Sequence, residues 1–74
     1  MLKDVAKGDL AQIVGFTPAV TAEQKSHLLA YGLVPGYSVR IIQQNPVTVV
    51  QVEHLELALE HNLSGEIQVK STTS

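Results

Sequence analysis

Apolar and polar positions along this chain of 74 residues fall into short runs cut by turn signals, and only one run has helical spacing. Lys7-Gly8-Asp9 is a turn signal, and Leu10 to Phe16 follows as a β-rich run. Thr17-Pro18 ends it, because proline cannot donate to a strand ladder. Thr21-Ala22-Glu23-Gln24 is a capping-box pattern, in which the Thr21 hydroxyl takes a free backbone N–H and Gln24 reaches back. Glu23 suits the positive end of the helix dipole. Ala22, Lys25, Leu28, Leu29 and Tyr31 continue at near-helical spacing, and Gly32 stands where a left-handed cap belongs. The pattern predicts a helix over about 22–31, with Leu33 folding back onto its end.

Beyond the helix the pattern turns to β. Val34-Pro35-Gly36-Tyr37 predicts a type II turn, with proline presetting φ and glycine accepting positive φ. Ser38 to Ile42 is a β-branched run, Asn45-Pro46 interrupts it, and Val47 to Val52 is the most β-prone stretch. The second of these carries no charge and belongs inside a sheet. Leu55 to Glu60 is read two ways. Its alternation places Leu55, Leu57 and Leu59 on one strand face, whereas Leu, Ala and Glu are strong helix formers. Its shortness and lack of a cap favour the strand. Asn62 to Gly65 is expected as a turn and Glu66 to Lys70 as a last strand. Residues 1–70 then form one domain, with a disordered polar tail over 71–74. Five strands this short cannot cover both faces of an open sheet. The predicted fold is mainly β: a small SH3-like five-stranded barrel with one inserted α-helix.

Composition narrows the function. There are no cysteines, which removes disulfides, thiolate metal sites and cysteine nucleophiles together. Five Lys+Arg against seven Asp+Glu give a net charge of −2, so no basic face exists for nucleic acid. No apolar run approaches the roughly 18–20 residues that span a bilayer, and Met1-Leu2-Lys3-Asp4-Val5 lacks the pattern of a signal peptide. The expected location is the cytoplasm, without direct membrane insertion.

Leu28-Leu29-Ala30-Tyr31-Gly32-Leu33-Val34-Pro35-Gly36 matches the Leu-Leu-x-Leu-Gly-Leu-x-Pro-Gly motif of the FeoA family, and the segment from Ile13 to Val69 resembles that family throughout. The Val39 to Ile42 strand, Asn45-Pro46, Leu57-Ala58-Leu59 and Gly65 to Val69 sit where the family has counterparts. His27 stands where the family often has arginine, and Tyr31 where it usually has leucine or methionine. The resemblance implies an SH3-like barrel and an accessory role in ferrous iron uptake. Its partner would be FeoB, the membrane transporter with a cytosolic GTPase, which would recruit it from the cytoplasm to the inner membrane and whose activity it would support.

The candidate chemistry is sparse. Ser26, Ser38 and Ser64 lack a nucleophile-elbow context and no glycine-rich phosphate loop opens a helix, so no catalytic residues, cofactor or enzymatic activity are expected. His54, Glu56 and His61, with Glu60, lie close enough in sequence to suggest an alternative metal-binding or metal-sensing module. On a strand, however, His54, Glu56 and Glu60 fall on the polar face. Docking is the leading expectation. A helix lying across a barrel buries one stripe, so part of Leu28, Leu29, Tyr31, Leu33, Val34 and Pro35 should form an apolar patch for a partner. Homo-oligomerisation through such a patch or through a barrel edge is a further alternative.

Overall fold

The computed structural model describes residues 1–71. Five strands, β1 (Leu10–Phe16), β2 (Ser38–Gln43), β3 (Thr48–Val52), β4 (Leu55–Leu59) and β5 (Ile67–Ser71), form one antiparallel sheet in the order β4-β3-β2-β1-β5. Helix α1 (Ala22–Ala30) lies between β1 and β2, and a single helical turn, α2 (His61–Ser64), lies between β4 and β5. Register shifts between Ile13 and Gly15 in β1, and between Ile41 and Gln43 in β2, mark bulges. Bulges bend a sheet and increase its twist. Leu59 of β4 and Ile67 of β5, from opposite ends of the strand order, consequently share one core with Ile13, Val39, Ile41 and Val50. This is the SH3-like barrel expected from the strand pattern.

The helix signals act as anticipated. Thr21 Oγ1 accepts from the Gln24 N–H at 3.1 Å, and Gln24 Oε1 accepts from the Thr21 N–H at 3.0 Å. At the other end Gly32 has φ 101°. The Leu33 N–H donates to the Leu28 carbonyl and the Gly32 N–H to the Leu29 carbonyl, each at 3.0 Å. This pair of bonds is the Schellman motif. It turns Leu33 into the core, where it is fully buried beside Leu28.

Two features differ from the sequence expectation, and a third, at the amino terminus, was assigned no element by it. Asn62 to Gly65 is not an open turn: Ser64 and Gly65 donate to the carbonyls of Glu60 and His61, closing α2. One turn is too short to leave a periodic signature, and burial of Ser64 holds it. The amino terminus is ordered as a 3-10 turn, Leu2–Asp4, whose Leu2 is completely buried. Ser71 belongs to β5, and the remainder of the expected tail lies outside the described residues.

Candidate docking groove

The end of α1 faces the tip of the β3–β4 hairpin across an open groove of about 440 Å³. Ala30, Tyr31 and Gly32 line one wall, and Tyr37, Val52, Glu53, His54 and Leu55 complete it. Tyr31, Tyr37 and Leu55 are 51%, 56% and 45% exposed, unusually wet for large apolar side chains standing together.

Local bonding fixes each wall. The Tyr31 N–H reaches the carbonyls of His27 and Leu28, at 3.1 and 3.2 Å, which seats its Cα at the helix cap. Val34 to Tyr37 is closed by the Tyr37 N–H on the Val34 carbonyl at 2.9 Å, with Gly36 at φ 97°. β1 then clamps this turn: Gly36 N–H donates to the Ile13 carbonyl, Ile13 N–H to the Tyr37 carbonyl, and Gln12 Nε2 to the Gly36 carbonyl. On the opposite wall Glu53 holds φ 56° as the first of the two loop residues between β3 and β4. Hairpin loops of two residues require such left-handed geometry, normally supplied by glycine or asparagine.

Of the six residues expected on a docking patch, Tyr31 lines the groove and Pro35 is exposed nearby in sequence. Leu29 and Val34 are half-buried, while Leu28 and Leu33 are sealed in the core by the Schellman closure. Tyr37, Val52 and Leu55 were not in that set. Val52 and Leu55 meet through hairpin register, which their two-residue spacing signals, whereas Tyr37 comes from the turn before β2 and no local signal joins it to them. The alternative metal set is spread along β4. His54 precedes the strand, Glu56 lies on it and His61 follows it; the strand alone spans about 13 Å. Among the described residues, no three histidine, aspartate or glutamate side chains gather into a group that could hold a metal ion. Ser64, buried at the other end of β4, spends its hydroxyl on the His61 carbonyl at 2.8 Å. No described helix is long and apolar enough to cross a membrane.

Three solved structures share the fold. A crystal structure of an iron uptake regulatory protein (FeoA) is 21% identical, with 95% of this chain and 92% of that chain covered at a TM-score of 0.80. The solution structure of a FeoA protein from Chlorobium tepidum is 21% identical, with 97% and 70% covered at a TM-score of 0.86. A FeoA-like protein from Clostridium acetobutylicum is 17% identical, with 99% and 86% covered at a TM-score of 0.79. No curated protein matches the chain significantly. The family model of the FeoA domain matches residues 1–71, nearly the whole chain, and the protein therefore belongs to the FeoA family.

Proposed function

We propose that this protein is a non-enzymatic accessory of ferrous iron uptake that docks on the cytoplasmic side of a FeoB-type transporter through the groove at the end of α1. Membership of the FeoA family implies a role in ferrous iron transport. The observation that carries the docking reading is the grouping of half-exposed Tyr31, Tyr37 and Leu55 around one groove on a rigidly bonded frame. Tyrosine offers a large contact area at small entropic cost and is enriched among interface anchors. Leu28 and Leu33 are buried in the core, and half-buried Leu29 and Val34 with exposed Pro35 flank Tyr31 in sequence as further candidate contacts. The groove is open and shallow, which suits a protein segment better than a small molecule, most of whose surface must be enclosed.

Capture of the transporter's cytosolic domain, with and without guanine nucleotide, tests the reading. A folded variant with Tyr31→Ser and Tyr37→Ser should lose at least about tenfold in affinity, or 1.4 kcal/mol. Unchanged affinity would remove this groove as the docking surface.

A further inference from the structure

β4 is an edge strand, paired to β3 on one side only. Glu53 and His54 form a two-residue loop closed by the pair Val52–Leu55, and the register runs unbroken to Thr48–Leu59. Such a hairpin closes on a hydrogen-bonded pair and alternates from there, so Leu55, Leu57 and Leu59 direct their backbone groups to β3. The N–H and C=O groups of Glu56 and Ala58 point away from the sheet, and both residues are exposed. β4 has no lysine, proline or bulge, the usual protections of an edge. Its first residue, Leu55, also lines the groove.

Charge selects what this edge can accept. Between residues 41 and 69 the chain has no lysine or arginine and four glutamates. Three of them, Glu53, Glu56 and Glu60, are exposed on and beside the β4 edge. A second copy pairing at the same edge would set its own glutamates against these.

We propose that β4 accepts an extended segment of a partner protein as an added strand, one in which apolar residues alternate with lysine or arginine. Strand addition takes its affinity from main-chain bonds and its specificity from alternate side chains. Apolar positions of the incoming strand lie beside Leu55 and Leu57 and continue into the groove at Tyr31. The intervening basic positions meet Glu56 as a cross-strand pair of opposite charge, and Glu53 adds negative charge from the hairpin loop beyond the end of the strand. This assignment rests on the docking reading and specifies the chemistry of its partner.

The test uses two blocked synthetic heptapeptides, one alternating lysine with valine and one alternating glutamate with valine, titrated into the isotope-labelled protein. The basic peptide should shift the Glu56 and Ala58 amides, with the acidic peptide at least about tenfold weaker. Ala58→Pro removes an outward donor while sparing the β3 ladder, and should abolish the shifts. The double reversal Glu53→Lys, Glu56→Lys leaves the backbone unaltered and should transfer the preference to the acidic peptide, so the proposal stays testable even where the proline variant does not fold. Equal response to both peptides, shifts confined to other strands, or dimerisation through β4 in sedimentation would overturn it. A protein that captures the transporter domain but ignores the basic peptide sinks strand addition alone. One that takes the peptide but not the domain sinks the docking reading alone.

Discussion

Gly32 lies flat against Val52: a Cβ on Gly32 would stand 2.7 Å from Val52 Cγ1. The contact joins the cap of α1 to the last residue of β3, and so brings the two walls of the groove together. Glycine is required here twice over, by the positive φ of the Schellman cap and by the closeness of the strand.

Gly36 supplies the comparison that separates these causes. It too has positive φ, at 97°, but a Cβ there would meet nothing within 4 Å. Gly36→Ala should therefore cost only the left-handed penalty, about 1–2 kcal/mol. Gly32→Ala adds overpacking of about 1–3 kcal/mol, a large share of the total stability of a small domain. Urea unfolding of the two variants measures the difference, and equal losses would show that the Val52 contact is easily relaxed.

Local signals made the helix and its punctuation legible. Thr21 and Gln24, Gly32 and Leu33, and Pro35 and Gly36 each act within a few residues, and each forms the bonds its sequence spacing implied. Leu55 to Leu59 was resolved as a strand by alternation, although its composition favours helix, because pairing with β3 outweighs propensity. What escaped was non-local. Leu2 lies outside any periodic run, packs into the shared core, and has its backbone carbonyl held by Gln44, 42 residues away. The groove needs Tyr31, Tyr37 and Leu55 from three separate elements, which no single window of sequence can unite.

Gln44 ties down the amino-terminal turn. Its Nε2 donates to the carbonyls of Leu2, at 3.0 Å, and Val5, at 2.6 Å, while its Oε1 accepts from the buried Thr48 hydroxyl at 2.8 Å. Leu2→Ala should cost about 2–5 kcal/mol through loss of a fully buried side chain. Gln44→Leu should cost about 1–3 kcal/mol by leaving buried polar groups without partners. Hydrogen exchange distinguishes the two effects from global weakening: Gln44→Leu should release the amides of Asp4 and Val5 before those of the β1–β5 ladder.

Glu53 pays a conformational penalty at the hairpin tip. Left-handed geometry costs an ordinary residue roughly 1–2 kcal/mol, and glycine almost none. Glu53→Gly should raise stability by about 1 kcal/mol and the melting temperature by about 4–8 °C for a domain of this size. The same change deletes a carboxylate from the groove wall, so affinity for a basic segment should fall while stability rises. Calorimetry of the variant, alone and with the lysine–valine peptide, reads both signs.

Two neighbouring surfaces compete for the role of principal docking contact, and their substitutions separate them. Leu55 is 45% exposed and lines the groove, whereas Pro35 is exposed on the adjoining turn and does not line it. Burial of apolar surface contributes about 25 cal/mol per Å², so covering what remains exposed of Leu55 and Tyr31 is worth on the order of 1–2 kcal/mol for each. Leu55→Ser should therefore weaken capture of the transporter's cytosolic domain by roughly tenfold, with little loss of fold because its side chain already stands half in water. Pro35→Ala should change affinity less than about threefold, since contacts outside a central anchor cluster contribute little. The reverse ranking, measured by titration calorimetry on variants with native unfolding transitions, would move the contact from the groove to the proline turn.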